Sequence, residues 1–289
     1  MSIIVFIIVG ILQGLFGLLP LSTAGLTSFF IKLFNIEGVS VIPAAAVLHF
    51  GTGIAILVVF RKTFFRILKG TLQIAASGFR NLWIYFKNNA LGGSESYDRV
   101  LGSKNRRLAA MFLAASLPAG VVGFLFRKAA VFLSSGLLFT GMSFIITGIL
   151  FVVTGFLNNI LPEKNIPVYK MGITGIISGA SVIPGISIHG TILSIGTLMR
   201  MDKKSAQRMS VMIYVPMAFG AFVYELVSGG ISYEGQYLAA EIIGLILSAV
   251  LTFFFMKKMI RFVFGRDLNF FALLNGIIGI LIIVFNFVL

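Results

Sequence analysis

The sequence predicts an all-α, polytopic integral membrane protein, and three observations lead to that fold class. First, 58% of the 289 residues are hydrophobic and the mean hydropathy is +1.04, more apolar surface than one soluble core encloses. Second, the apolar runs 131–160, 235–256 and 268–289 are long enough, as helices, to cross a hydrocarbon layer of about 30 Å. Third, the basic residues are unevenly distributed between these runs. We expect one transmembrane domain over residues 1–289.

The apolar runs and the Gly and Pro breaks between them divide the chain into about ten helical segments. No basic region precedes the first segment and no cleavage pattern stands out, so we expect it to be retained rather than removed as a signal peptide. The predicted segments are 2–17, 20–34, 40–60, 104–126, 131–157, 168–183, 186–200, 204–229, 235–257 and 268–289.

The Lys and Arg residues indicate how these helices are oriented. We let successive helices cross the membrane in alternate directions and let 2–34 and 168–200 each form a hairpin that returns to its own side. All Lys and Arg residues then lie on one side except Lys32, Arg127 and Lys128. Because basic residues favour the cytoplasmic side, we expect a multi-pass protein of the cell membrane with both termini outside. The net charge of +14 therefore indicates orientation and not a nucleic-acid surface.

The segment 61–107 is not expected to span the membrane. It alternates Arg and Lys with Phe, Leu, Trp83 and Tyr85, which is typical of a helix in the cytoplasmic headgroup layer. It ends in a Gly- and Ser-rich stretch whose Gly92-Gly93 pair lacks the strand and the Gly-Lys-Ser/Thr of a phosphate loop. We interpret that stretch as a flexible connector.

Two stretches, GILQGLFGLLPLSTAGLT (10–27) and GITGIISGASVIPGISIHGT (172–191), indicate an internal repeat. Five helices follow the same order in each half, and an odd number of crossings makes the halves inverted. We expect one repeat over 1–160 and another over 165–289, each with a broken or re-entrant hairpin. Each stretch has two glycines four apart, a proline and a Ser-x-x-Gly: Gly10, Gly14, Pro20, Ser22 and Gly25 in one, and Gly175, Gly179, Pro184, Ser187 and Gly190 in the other.

Inverted repeats with interrupted helices place a binding site near the midplane, where helix N-termini and freed amides face an anion. A helix broken in lipid is tolerated only where protein encloses the break. The small hydroxyl residues and glycine amides at both breaks suit phosphate oxygens, although a simple helix kink remains the alternative. The predicted phosphate-binding residues are Gln13, Ser22, Thr23, Gly25, Gly185, Ser187 and Gly190.

The two histidines are interpreted differently. His189, at the second break, is the candidate catalytic residue, as base, nucleophile or cationic phosphate partner. The alternative is a hydrogen bond from His189 to a free carbonyl at the break. His49 is interpreted as a hydrogen-bonding residue between packed helices. The chain has no Cys, which excludes disulfides, thiolate catalysis and Cys-ligated metals.

The sequence resembles the undecaprenyl-diphosphate phosphatase (bacitracin-resistance) family over nearly its whole length. The family's motifs have the forms Gln/Glu-Gly-x-Thr-Glu-Phe-Leu-Pro-x-Ser-Ser-Ser/Thr-Gly-His and Pro-Gly-x-Ser-Arg-Ser-Gly-x-Thr. The stretches 48–62, 107–123 and 202–221 extend the match. The resemblance implies a membrane enzyme that recycles the polyprenyl lipid carrier of cell-envelope synthesis. The matching motif residues are Gln13, Gly14, Leu19, Pro20, Ser22, Gly25, Pro184, Gly185, Ser187 and Gly190.

The chain departs from the family where the resemblance places the catalytic charges. Gly17, Leu26 and Ile188 stand at the positions of the family's glutamate, histidine and arginine, while Ala24 and His189 replace hydroxyl residues. The resemblance implies that the arginine stabilises the transferring phosphoryl group and that the glutamate or histidine starts the reaction. It also allows Mg²⁺ or Ca²⁺, but no acidic residue lies within either motif. We therefore predict no metal ligands and no certain cofactor.

Two functions follow from this pattern. In the first, the protein binds a polyprenyl (undecaprenyl-type) phosphate or diphosphate and moves or shields it with weak or no hydrolysis. In the second, it is a working diphosphatase that uses His189 with Ser/Thr hydroxyls and backbone amides. A third interpretation is a scaffold that binds a partner. The residues at the motifs favour the first. The expected partners are the polyprenyl lipid and the membrane, with no nucleic acid, and a homodimer stays open.

Overall fold

The computed structural model describes residues 2–156, 166–231 and 235–288, and within these ranges every regular element is a helix. Six helices, which begin at residues 41, 104, 137, 203, 235 and 268, are long and apolar enough to cross a membrane. The predicted all-α, polytopic class is confirmed. The helices are α1 Ser2–Phe16, α2 Thr23–Leu33, α3 Val41–Val59, α4 Arg61–Leu91, α5 Lys104–Leu133, α6 Leu137–Phe156, α7 Val168–Ser178, α8 Ile188–Leu198, α9 Lys203–Val227, α10 Gly235–Gly265 and α11 Leu268–Val288, with a 3-10 turn Gly179–Val182 after α7.

Four helix bounds differ clearly from the sequence prediction: α5 and α10 end later, α6 begins at Leu137 rather than at 131, and α7 ends at Ser178 before the 3-10 turn. Helix α5 does not end at 126 but continues to Leu133, and Arg127 inside it forms an ion pair with Glu225 of α9. Helix α10 continues past 257 to Gly265, since its basic residues Lys257, Lys258 and Arg261 are exposed. The predicted repeat boundary at 160–165 lies outside the described residues, as do the predicted helix ends at 157 and 289.

The first hairpin returns to the end of the bundle from which it starts. Ile31, near the end of α2, packs in one buried cluster with Val5 of α1, Val41 of α3 and Ala240 of α10. The starts of α1, α3 and α10 therefore lie at one end, together with the end of α2. Helix α1 packs closely on α10, because a Cβ atom on Gly10 would lie 2.9 Å from the Cα of Gly244.

The second hairpin enters from the opposite end. The Arg107 guanidinium at the start of α5 donates to the carbonyl of Ile166, directly before α7, at 3.0 Å. Helix α7 packs on α5 as closely as α1 does on α10, because a Cβ atom on Gly175 would lie 2.1 Å from the Ala115 carbonyl oxygen. The two hairpins thus insert from opposite ends and use their predicted glycines against α10 and α5, which is the inverted arrangement.

Helix α4 and the stretch after it lie outside this bundle core. Gly70 of α4 packs against the backbone of Asn105, while Trp83 and many neighbouring apolar side chains are exposed. The connector at 92–103 is tied to α4: the side-chain amide of Asn81 makes two hydrogen bonds to the backbone of Asp98, at 2.6 and 2.9 Å. Asn88 does the same with Glu95. Two asparagines of α4 thus hold the backbone of the connector at Glu95 and Asp98.

Candidate functional site

The two broken hairpins meet inside the bundle. The hydroxyl of Ser22, the N-cap of α2, accepts hydrogen bonds from the amide of Gly25 at 3.2 Å and from the amide of Gly185 at 2.9 Å. The hydroxyl of Ser187, the N-cap of α8, accepts from the amide of Gly190 at 3.0 Å. The paired Ser-x-x-Gly patterns are therefore helix caps, and the first cap also joins the two hairpin tips.

Polar side chains from α6 and α11 satisfy the carbonyl groups that the breaks release. The Thr147 hydroxyl of α6 donates to the carbonyl of Gly185 at 2.9 Å. The Asn275 side-chain amide of α11 donates to the carbonyl of Pro20 at 3.0 Å. A buried carbonyl without a partner is costly, so each broken hairpin is stabilised by a polar residue from the last helix of one half. Neither residue was singled out from the sequence.

Three of the predicted phosphate-binding glycines serve packing in this structure. Cβ atoms on Gly25 and Gly190 would lie 2.4 Å from the rings of Phe144 and Phe151 of α6. Gly185 has a φ of +100°, and its Cβ would lie 2.4 Å from a carbonyl oxygen of α6, so only glycine fits there. Because their amides already donate to Ser22 and Ser187, a phosphate would reach those amides only if the caps opened.

Three of the other predicted residues, Ser22, Thr23 and His189, line a small cavity between the tips, whereas Gln13 and Ser187 do not. Ser22 and Thr23 line it from the first tip, and Ile188 and His189 line it from the second. Its volume of about 10 Å³ matches the space that one water molecule occupies. The structure thus brings Thr23 and His189 to a single cavity, as the repeat pattern predicts.

Gln13 belongs to a buried polar cluster beside this cavity. Its side-chain nitrogen lies 3.0 Å from the Thr52 hydroxyl, 3.0 Å from the Tyr214 hydroxyl and 3.3 Å from Nδ1 of His49. His49 is also hydrogen-bonded to the Tyr214 hydroxyl and lines the small cavity. His49 of α3 is thus a hydrogen-bonding residue between packed helices, as the sequence predicts, and it also lines the small cavity.

Tyr214 connects this polar cluster to His189. The two rings stack with centroids 4.7 Å apart and planes at 12°. Sequence reasoning missed Tyr214, although it lies inside the 202–221 stretch that carries the family resemblance. A lone tyrosine in an apolar helix gives no signal of its own that it reaches the second hairpin tip.

His189 keeps one ring nitrogen free. Its side chain is 4% exposed, its Nδ1 lies 3.4 Å from the Ser210 hydroxyl, and its Nε2 has no hydrogen-bond partner among the described residues. The alternative of a bond to a free carbonyl at the break is therefore wrong, because the Gly185 carbonyl is bonded to Thr147 instead. A neutral imidazole can donate or accept at Nε2, so His189 is available to one ligand atom or water.

A larger cavity of about 260 Å³ continues from this point between α3, α5 and α9. It shares four lining residues with the small cavity: Ala24, His49, Ser181 and Ile188. Most of its lining is apolar, and it reaches the ends of α5 and α9. There Arg127 forms a bidentate pair with Glu225, at 2.6 and 2.7 Å, and lies 4.7 Å from the centroid of the Tyr224 ring.

Of the three positions that the resemblance assigns to catalytic charges, two face the cavities. Ile188 lines both cavities and Gly17 lines the small one. Leu26 instead packs against the apolar cluster of Leu137, Phe144 and Ile282 between α6 and α11. Among the described lining residues, the only charged side chains are Arg127 and Glu225, which neutralise one another.

The residues at the tips do not fit a protein-held divalent cation. Within 2–156, 166–231 and 235–288, no three His, Asp or Glu side chains lie close enough together to hold a metal ion. Mg²⁺ and Ca²⁺ prefer carboxylate and carbonyl oxygens, and the cavity between the tips contains no carboxylate among its described lining residues.

Comparison with known proteins gives the family. The family model described as bacitracin resistance protein BacA matches residues 6–281. Similar chains are named undecaprenyl-diphosphatase: that of Halothermothrix orenii is 29% identical over 288 residues, covering 98% of each chain. The one from Methanosphaera stadtmanae is 25% identical over 291 residues and 100% of each chain, and the one from Christiangramia forsetii is 27% identical over 297 residues and 99% of each. With the two matching hairpins in place, this chain belongs to the bacitracin resistance protein BacA family.

Proposed function

We propose that this protein binds the phosphate end of a polyprenyl phosphate or diphosphate at the hairpin tips and moves or shields the lipid with weak or no hydrolysis. The observation that carries the proposal is the absence, among the described residues that line the two cavities, of any charge not already paired. Ile188 stands where the family resemblance expects an arginine.

Hydrolysis of a diphosphate develops negative charge on the transferring group, and the protein must stabilise that charge. The neutral donors at the tips, Thr23 and His189, support binding but supply no fixed positive charge there. Loss of one electrostatic donor lowers catalytic rates by about 100- to 1,000-fold in other enzymes. The apolar lining of the larger cavity suits an isoprenoid chain attached to the phosphate.

The inverted hairpins support movement of the lipid. They insert from opposite ends and meet at one site, an arrangement that lets a bundle open toward either side. We place the protein in the cell membrane with both termini and the Arg127 end outside, because the basic residues lie mainly at the opposite helix ends. A homodimer is not required for this site, since both tips come from one chain.

A working diphosphatase is the second candidate, and two observations favour it. The similar chains from other organisms are named undecaprenyl-diphosphatase. In addition, the Nε2 atom of His189 is buried and free of partners among the described residues, as a base or nucleophile needs. In this alternative, His189 acts with Ser22 and Thr23 on the terminal phosphate.

Release of phosphate from farnesyl diphosphate and undecaprenyl diphosphate separates the two candidates. The purified chain is assayed beside the undecaprenyl-diphosphatase of Halothermothrix orenii, prepared in the same detergent. We expect both lipids to bind the chain, measured as a rise in its thermal unfolding midpoint. We expect the chain to release phosphate at least about 100-fold more slowly than the Halothermothrix orenii protein. Equal rates in the two proteins would overturn the first proposal, and no stabilisation by either lipid would overturn both.

A further inference from the structure

A separate cavity of about 350 Å³ lies at the other end of the bundle, where α3 ends, α9 begins and α10 ends. It has no lining residue in common with the two cavities at the hairpin tips. Its walls combine basic and apolar side chains. The lining residues are Phe60, Lys204, Gln207, Arg208, Val211, Met212, Lys257, Ile260, Arg261 and Phe264.

Four cations converge on this cavity from two helices. Lys204 and Arg208 stand four residues apart on α9, and Lys257 and Arg261 stand four apart on α10. No acidic side chain is among the described lining residues. No hydrogen bond or ion pair joins the side-chain nitrogens of these four cations to any described residue. Like charges at this spacing destabilise a helix, so the cluster lacks the counter-charge that would stabilise it.

The helices that carry these cations are fixed relative to one another. The Gln207 side-chain amide of α9 donates to the Ile260 carbonyl of α10 at 2.7 Å. The Lys203 ammonium donates to the Phe264 carbonyl at 3.3 Å and also bonds the carbonyl of Arg266. The four cations therefore project from a rigid pair of helices, which lowers the entropic cost of binding an anion between them.

The apolar walls narrow the class of ligand. Val211 and Met212, which are buried, and the aromatic residues Phe60 and Phe264 line the cavity beside the cations. A free anion gains nothing from these side chains, whereas a lipid places its phosphate on the cations and its chain against the aromatic rings. Basic pockets between transmembrane helices bind lipid headgroups in this way.

We propose that this basic cavity binds the phosphate headgroup of an anionic membrane lipid. The inference does not depend on the function proposed for the hairpin tips, because α9 lines the two tip cavities with residues between Tyr214 and Glu225 and lines the basic cavity with residues between Lys204 and Met212. A protein that fails to bind polyprenyl diphosphate can still bind this lipid, and the reverse also holds.

The test is a lipid titration of the purified full chain, followed by native mass spectrometry in a neutral detergent. The probes are dioleoylphosphatidic acid, dioleoylphosphatidylcholine and inorganic phosphate. The variant Lys204→Gln/Lys257→Gln removes two charges from the cavity. The control Lys69→Gln/Lys258→Gln removes two lysine charges from exposed positions that do not line it.

We expect phosphatidic acid to bind the wild type and the control equally, and the cavity variant about tenfold more weakly, given the attraction of each basic residue for an anionic lipid surface. Phosphatidylcholine, whose headgroup carries no net charge, should bind all three proteins alike. Equal loss in the two double variants would show only a general charge effect and would overturn the proposal. Displacement of phosphatidic acid by equimolar inorganic phosphate would assign the cavity to a free anion and would also overturn it.

Discussion

The hydroxyl of Ser22 accepts a hydrogen bond from the amide of Gly185 at 2.9 Å, which joins two hairpins that enter the bundle from opposite ends. The same hydroxyl caps α2 through the amide of Gly25. One side chain therefore holds both the local end of a helix and the long-range contact on which the candidate site rests. A second serine, Ser187, caps α8 in the same way but has no bond across to the first tip.

Replacement of Ser22 by alanine should destabilise the protein more than replacement of Ser187 by alanine. Ser22→Ala removes a cap worth about 1 kcal/mol and leaves the Gly185 amide buried without an acceptor, which costs about a further 1–3 kcal/mol. Ser187→Ala removes one cap alone. The thermal unfolding midpoints of both variants in detergent measure the difference. Equal midpoints would show that the contact between the tips adds no stability.

His189→Ala tests whether the free Nε2 atom meets the ligand. We expect the affinity for farnesyl diphosphate to fall by about threefold to tenfold, the effect of one lost hydrogen bond. The control Ser210→Ala removes the partner of Nδ1 and leaves Nε2 unchanged, so its affinity should stay near that of the wild type. Unchanged affinity in His189→Ala would remove this residue from the binding site. A drop of about 100-fold in phosphate release would instead identify a working acid–base group.

Restoring the two cavity-facing family residues should raise phosphate release. Ile188 lines both cavities and Gly17 the small one, so Gly17→Glu/Ile188→Arg places both charges at the tips. We expect a gain of about 100-fold or more in the rate of release from farnesyl diphosphate. A Cβ atom on Gly17 would lie 2.4 Å from the backbone carbonyl oxygen of Gln13 and 2.6 Å from its side-chain nitrogen, so the backbone at residue 17 and the Gln13 side chain must both shift to admit the new side chain.

The uncharged variant Gly17→Gln/Ile188→Leu is the control for this restoration and should release no more phosphate than the wild type. Adding Leu26→His should give no further gain, because Leu26 packs against Leu137 and Phe144 rather than toward either cavity. If the charged variant folds, binds the lipid and releases no more phosphate than the wild type, the absence of these two charges is not what limits hydrolysis in this chain.

Glu225→Gln should destabilise the protein through Arg127. The Arg127 side chain is 23% exposed and Glu225 only 2%, so the variant leaves a largely enclosed guanidinium without its carboxylate, at a cost of up to about 3 kcal/mol. The double variant Arg127→Gln/Glu225→Gln should lose less stability than the two single variants combined. Lys128→Gln, which changes the exposed neighbouring cation, should leave the midpoint unchanged. Additive losses would show that the pair is not coupled.

The orientation in the membrane is testable because the chain has no cysteine of its own. Ser94 is exposed in the connector after α4, and Ser135 is exposed between α5 and α6. In intact cells, a membrane-impermeant maleimide should label Ser135→Cys but reach Ser94→Cys only after permeabilisation. Labelling of both cysteines from outside would contradict the inverted arrangement. Labelling of Ser94→Cys alone would reverse the proposed orientation.

The sequence by itself determined the features that depend on local composition. Apolar runs fixed the class of protein and most helix bounds, since the hydrocarbon layer requires a minimum apolar length. The Pro20 and Pro184 breaks were visible because each proline is followed by a Ser-x-x-Gly pattern; proline alone does not mark a break, since Pro118 and Pro216 lie inside α5 and α9. The Ser-x-x-Gly patterns singled out Ser22 and Ser187, but they were interpreted as phosphate-binding residues, and the structure shows them as helix caps. The extension of α5 was missed because two consecutive basic residues, Arg127 and Lys128, interrupt the apolar run, and the partner of Arg127, Glu225, lies far along the chain.

Tertiary structure alone decided which groups face the cavities. The Ser22–Gly185 bond spans 163 positions and the Gln13–Tyr214 bond spans 201, and no local pattern encodes such pairs. Gly25 and Gly190 pack against the rings of α6 and so do not form the predicted phosphate-binding surface. His189 stacks on Tyr214, which places it at the small cavity between the tips. Each polar group buried in the bundle must find a partner that is close in space rather than in sequence, so its role follows from how the helices pack.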